Sequence, residues 1–232
     1  MTSEMAPSIW MRPERSAVGR PAQHSRAKIT AIAVEVADRE GLDAVSMRRI
    51  ATEIGTGAAS LYRYVETRED LLDLMTDATG AEYELAPPTE DWLAELVALG
   101  EQGRAILRRH RWLAGLIMTR SVMGPNGLAL LQHVLTVLER HPAGLAAKME
   151  AFAMLYGVTA AFVLQEQADS GREARNLAFL QHALASGEYP RLAELVSEAA
   201  QSPQSSLEPP VATADRYPDI ITRILTGLLG PA

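Results

Sequence analysis

Residues 46–72 constrain this chain more than any other stretch, because they read as two short helices joined by a glycine-bearing turn and followed by the start of a third. Ser46 suits the N-cap of a helix that carries Ile50, Ala51 and Ile54 on one face. Gly55 and Gly57 supply the backbone freedom of a sharp turn. The second helix is expected over residues 58–65, and only Leu61 and Val65, four apart, anchor it on a core. Ala58, Ala59, Ser60, Tyr62, Arg63 and Tyr64 are left to point elsewhere. Such a face suits a major groove, where arginine reads guanine, small side chains allow close approach and hydroxyls reach phosphates. Taken alone, the pattern fits equally an ordinary helix hairpin with a solvated polar face.

The surroundings of the hairpin separate these readings. A helix over residues 26–40 stops at Gly41, the lead-in EGLDAVSMRRIA covers residues 40–51, Leu61 and Tyr62 stand as a pair, and a charged turn precedes Leu71 and Leu72. In this order the segment closely resembles the tetracycline-repressor (TetR) family. The resemblance continues more thinly through HRWLAGL at 110–116 and GPNGLALL at 124–131. It implies an all-α fold with a three-helix helix-turn-helix head over residues 25–70 and a larger helical ligand-binding and dimerisation body over 71–232, preceded by a basic extension at 1–24. Carried over position by position, it implies that Ser46, Met47 and Arg48 meet DNA from the first helix of the hairpin. Ala58, Ala59, Ser60, Tyr62, Arg63 and Tyr64 lie on the reading helix, and Arg68 is a phosphate contact. Arg48 and Arg63 are the candidates for base reading, since a bidentate guanine contact discriminates by roughly 1–3 kcal/mol. Thr56 stands where the family has an apolar turn residue.

Composition agrees with this architecture. The chain has 232 residues, 47% hydrophobic but only 5% aromatic, rich in Ala and Leu and without β-type alternation, which predicts helices. It contains no cysteine, which removes disulfides and thiolate metal sites. No apolar run is expected to approach the roughly 18 residues of a membrane span, and the N-terminus lacks a secretory apolar core, so a soluble cytoplasmic protein with no membrane partner is expected. The net charge of −7 is unevenly spread: residues 1–70 hold ten basic and ten acidic residues, so the whole surplus of acid lies in the body. Arg12, Arg15, Arg20, Arg26 and Lys28, set among Pro13, Gly19 and Pro21, suit an irregular arm along phosphates or in a minor groove, or equally a solvated extension. Trp10 is out of place in a solvated tail and suggests packing on the body or on a second subunit.

In the body, helices are expected over residues 68–84, from a Thr89 cap to Arg109, and over 112–120, 128–140, 172–186 and 189–200, with a flexible loop at 201–210. Residues 143–167 are apolar on nearly all sides, and residues 215–229 carry a broad apolar face. A helix without a polar stripe needs cover on every side, so these two segments are expected to form a homodimer interface of four helices, as the resemblance also implies. Two heads related by a two-fold axis would read a palindromic operator on double-stranded DNA.

The resemblance further implies a pocket in each subunit for a small-molecule inducer, apolar or amphipathic. Leu96, Leu99, Gly103, Trp112, Leu116, Met118, Leu135, Phe152, Tyr156 and Thr159 are its candidate lining, and each is equally compatible with ordinary core packing. Gly100 and Gly103 are more pointed, because glycine inside a helix costs about 1 kcal/mol and invites a close approach. Nothing points to catalysis, a metal or a cofactor: the five histidines show no ligand spacing, and neither a nucleophile elbow nor a phosphate loop is present. Two other readings stay open, an all-α homodimeric enzyme or scaffold whose hairpin does not touch DNA, and a DNA-binding dimer without a ligand.

Overall fold

The computed structural model describes residues 8–13, 24–167, 170–201 and 216–230. Helix α1 (Arg26–Glu40) starts where the Ser25 hydroxyl accepts the Lys28 N–H at 3.1 Å and stops at Gly41, whose φ of 86° suits glycine. Helix α2 (Met47–Ile54) repeats the device: Ser46 Oγ accepts the Arg49 N–H, and Gly55 closes the helix in the left-handed region at φ 78°. Gly57 has an ordinary φ of −78°, so the turn's demand for glycine falls on Gly55.

Helix α3 is one turn long, Ala58–Leu61, and does not continue to residue 65. The chain turns at 62–64 and brings Tyr64 and Val65 back into the core. Helix α4 (Arg68–Thr79) opens with a capping box in which Thr67 and Asp70 satisfy each other's backbone N–H groups. It gives way to a 3-10 turn at Gly80–Glu82 instead of running to residue 84. Gly80 is met there by the segment around Asn126, since a Cβ on it would lie 2.9 Å from the Asn126 side chain.

Helix α5 (Trp92–Arg109) is capped by Asp91, not Thr89, whose hydroxyl and N–H both donate to Glu95. Then follow α6 (Leu113–Thr119), α7 (Pro125–Val137), α8 (Leu145–Glu166), α9 (Ser170–Ala185), α10 (Pro190–Gln201) and α11 (Tyr217–Leu229). Helix α7 starts three residues before the expected 128, because Pro125 is preorganised for the first helical position. The expected loop at 202–210 and the basic residues Arg15 and Arg20 lie outside the described residues.

Two apolar clusters organise the molecule. The first joins α1, α2, α3 and α4 to the end of α5, to α6 and to Ala160 and Val163 of α8, so that head and body share one core. Helix α4 itself crosses residue 70, where the head was expected to end. The second cluster gathers α5, α7, α8 and α11 around Tyr217, Ile221 and Leu225, all fully buried. Helix α8 contains an 18-residue window apolar enough to cross a membrane, which corrects the expectation that no run approaches that length. It packs on α5, α6 and α11 as the central helix of the body, while Leu145, Met154 and Leu164 stay exposed.

Candidate DNA-reading surface and ligand cavity

The hairpin presents a small polar face. Ala59, Tyr62 and Arg63 are exposed, Tyr62 by 49%, and Ala58 and Ser60 are half-buried beside them. One Arg63 Nη donates to Ser60 Oγ at 2.9 Å, which holds the guanidinium over the start of α3. Ser46 and Arg48 are exposed at the start of α2. Arg49 beside them is engaged by Glu40 and Glu53, and hydrogen bonds from Arg49 and then Arg39 hold the Glu40 carboxyl below its usual range.

Three expected contact residues face inward. Met47 and Tyr64 are each 6% exposed and belong to the head core, because α2 turns its first residue under α1 and the early end of α3 folds residue 64 back. Arg68 donates from Nε to the Val45 carbonyl at 2.9 Å and from Nη2 to the Leu42 carbonyl at 3.2 Å. Its guanidinium ties the α1–α2 connection to α4.

The N-terminal segment is likewise used inside the molecule. Ile9 is 1% exposed, Arg12 pairs with Glu66 at 2.8 Å and with Asp70, and Arg26 donates to the carbonyls of Ile9, Arg12 and Tyr64. Trp10 reaches the start of α7, where a Cβ on Gly124 would collide with it and with Asp77. Trp10 therefore packs on the body of its own chain, and Arg12 and Arg26 are not free to follow DNA.

A second tie crosses from head to body. Asp38 on α1 accepts the Trp112 indole N–H at 2.7 Å and faces His110 Nδ1 at 2.8 Å, while His110 Nε2 faces Glu82 at 2.7 Å. His110, 4% exposed at the end of α5, thus stands between a carboxylate of the head and one that immediately precedes Tyr83.

Tyr83 leads into a cavity of about 590 Å³ bordered by α4, α5, α6, α7, α8 and residues 120–123. Leu99, Gly103, Met118, Phe152, Tyr156 and Thr159 line it. Four expected residues do not. Leu96 lies one turn too early on α5 and is 1% exposed in the second core, and Leu116 packs in the first. Trp112 is turned to Asp38, and Leu135 falls beside the buried stripe of Leu130, Val134 and Val137. Tyr83, Ile117, Arg120, Val122, Met123 and Met149 are among the wall residues that were not expected.

A readable signal for Tyr83 was Gly103. A Cβ there would lie 2.6 Å from the Tyr83 hydroxyl, so the helix omits a side chain to admit the phenol. Gly100 admits the Tyr217 hydroxyl in the same way, also at 2.6 Å. Tyr217 and Thr159 share a hydrogen bond of 2.6 Å, which commits the Thr159 hydroxyl although the residue lines the cavity.

Aromatic rings form one side of the cavity. Phe152 and Tyr156 stand 4.8 Å apart and Tyr83 and Tyr156 6.3 Å apart, tilted in both cases. Burial pushes the Tyr83 phenol up to about 12 and raises Tyr156 further, so both are neutral donors at physiological pH. The floor of α4 contributes Thr76, Asp77, Thr79 and Gly80. Asp77 accepts the backbone N–H groups of Asn126 and Gly127 and the Asn126 amide, and so caps α7 from another helix.

Comparison with known proteins agrees with this geometry. Residues 29–75 match the family model of bacterial regulatory proteins of the tetR family, and residues 86–207 match the tetracyclin repressor-like C-terminal domain. The chain is 35% identical over 202 residues to an HTH-type transcriptional regulator of Saccharopolyspora erythraea, covering 83% of each chain. It is 33% identical over 202 residues to the HTH-type transcriptional repressor DrrR1 of Streptomyces coeruleorubidus, covering 81% of this chain and 74% of that protein. Crystal structures of ActR from Streptomyces coelicolor superpose with a TM-score of 0.74 without ligand, at 29% identity over 90% of this chain and 97% of ActR. The complex of ActR with actinorhodin superposes at 0.72, with 30% identity over 89% of this chain and 97% of ActR.

Proposed function

Because the chain belongs to the TetR family of helix-turn-helix transcriptional regulators, we propose that it is a homodimeric repressor that leaves a palindromic operator when an apolar or amphipathic small molecule fills the cavity of the body. The observation that carries this reading is the course of α4. Its first turn is built into the head by Arg68, and its last turn supplies Thr76, Asp77 and Thr79 to the cavity wall, with Gly80 directly after it. A ligand that binds more tightly to one setting of this helix than to the other shifts the heads by that difference, and roughly 1–3 kcal/mol is typical of such coupling.

Arg48 and Arg63 read base edges, with Ser46, Ala58, Ala59, Ser60 and Tyr62 setting the approach to the groove and the backbone. The exposed side of α8 and the flank of α11 form the four-helix contact between subunits, which sets two heads one helical turn apart on cytoplasmic DNA. ActR in complex with actinorhodin supports a ligand role for the body, and an inducer of this chain occupies the same region between α4 and α8.

Selection from random duplex DNA tests the reading. An inverted repeat should be enriched, and Arg63→Ala should relax one symmetric position of it. Absence of enrichment at low salt, where phosphate contacts are strongest, would refute DNA reading by this hairpin.

A further inference from the structure

The short segment Ile9–Arg12 touches the border of the cavity at one end and the end of the hairpin at the other. On the body side, the Trp10 ring lies against buried Gly124, where a Cβ would stand 2.5 Å from its Cζ2. Gly124 directly follows residues 120–123 of the cavity border, and Asp77, which the same Cβ would strike, lines the cavity. On the head side, Arg26 Nη1 donates to the carbonyls of Ile9 at 3.2 Å and Arg12 at 2.7 Å, while its Nε donates to the Tyr64 carbonyl at 2.8 Å. Tyr64 follows Arg63 in the turn that closes the hairpin.

A segment that only covered apolar surface would need no more than Ile9, which is 1% exposed. The polar contacts go further. One guanidinium holds the backbone of the segment and the backbone of the hairpin together, so neither shifts alone without breaking a charge-assisted hydrogen bond. Between the two ends the chain is a 3-10 turn, closed by the Met11 N–H donating to the Ser8 carbonyl at 2.9 Å, so the indole and the carbonyls that Arg26 holds belong to one rigid unit. Arg12 ties the same unit to Glu66 and Asp70, beside the first turn of α4. Packed side chains joined to hydrogen bonds in this way can carry coupling between separate sites.

We propose that residues 9–12 are a clasp that carries a displacement at the cavity border to the end of the reading hairpin, entering at Trp10 and leaving through Arg26. Outward movement of Gly124 or Asp77 presses on the indole, the turn moves as a piece, and Arg26 draws the Tyr64 carbonyl with it. The clasp runs beside α4 and moves with it, because Arg12 holds the start of that helix. Its use in regulation rests on the repressor reading above. The coupling itself is a property of the single chain, measured without DNA or ligand, so a failed operator selection removes the use and not the clasp.

Amide hydrogen exchange of the full chain tests this. Tyr64 and Val65, whose N–H groups donate to the Leu61 carbonyl, report on the hairpin, Leu128, bonded to the Gly124 carbonyl, reports on the cavity border, and α11 is the reference. Trp10→Ala should speed exchange about five- to thirtyfold at Leu128 and also at Tyr64 and Val65, which the indole does not hold, with α11 unchanged. Arg26→Met should act in the opposite direction and speed exchange at Leu128 as well as at Tyr64, since coupling is reciprocal. The double variant should exchange at Tyr64 no faster than Arg26→Met alone, because both changes cut one route. An effect of Trp10→Ala confined to Leu128 overturns the clasp, and so does an additive effect at Tyr64 in the double variant. Trp10→Phe guards against simple unfolding: acceleration spread evenly over the molecule, α11 included, in this milder variant too would reduce Trp10 to a filler and overturn the proposal.

Discussion

Arg63 can lose its side chain without disturbing the fold, because it is exposed and its one hydrogen bond goes to the neighbouring Ser60. Arg68 cannot, because truncation strands the carbonyls of Leu42 and Val45 at the α1–α2 connection. Arg68→Ala should therefore lower stability by about 1–3 kcal/mol in denaturant unfolding, while Arg63→Ala leaves the midpoint unchanged and weakens operator binding about tenfold or more. Equal midpoints for the two variants would refute the division of labour. Glu166 gives a pH prediction. Burial would raise its pKa, but the Arg108 and Arg104 guanidiniums outweigh burial and hold it below the usual 4.5. A carboxylate with a lowered folded pKa stabilises above its unfolded value, and that contribution is lost as pH falls from about 4.5 through the lowered value. Glu166→Gln should flatten the acid limb of stability against pH, read from unfolding midpoints between neutral pH and the acid side. At this scale, residue type announced the arginines but not their direction. The inward turn of Tyr64 follows from where α3 ends, which its own side chain does not encode.

Helices α2 and α3 show which local signals carry weight. Ser46 and Gly55 are both readable, the first as an N-cap and the second as a left-handed terminus, and the structure uses them so. Gly57 looked equivalent and is not, because its φ of −78° is open to any residue and a Cβ added there would meet nothing within 4 Å. Gly55→Ala should cost about 1–2 kcal/mol for forcing an L side chain into the left-handed region. Gly57→Ala should be neutral or stabilising by up to about 1 kcal/mol through the unfolded chain. Thermal unfolding of the pair checks this, and a greater loss at Gly57 would contradict the turn geometry. Apolar spacing located α5, α7, α8 and α11, since each buries a stripe in the second core, but it could not separate a stripe that packs from one that faces a void. Leu96 and Leu99 carry the same pattern, and only Leu99 reaches the cavity. Residues 120–123 were invisible for a different reason: they are not helical, and periodicity says nothing about them, whereas Tyr83 was signalled only indirectly, by Gly103.

Two ties set the head against the body as a whole, Trp10 and Arg12 on one side and the Asp38–His110–Glu82 contact on the other. Head and body therefore share one core, and the proposed repressor role adds a second copy that supplies the other half of the operator. Helix α8 leaves Met154 47% and Leu164 38% exposed, an arrangement that burial in a lone subunit does not explain. Met154→Arg combined with Leu164→Glu should therefore yield a monomer in sedimentation equilibrium, with helical content and unfolding cooperativity retained because neither side chain belongs to a core cluster. Loss of the dimer separates the two half-site contacts, so affinity for the inverted repeat should fall by about 10²-fold or more, the advantage that linked binding confers. Affinity for an isolated half-site should not change. A double variant that remains dimeric would place the subunit contact elsewhere, and one that is monomeric yet binds the full repeat undiminished would show that a single head is the unit of recognition.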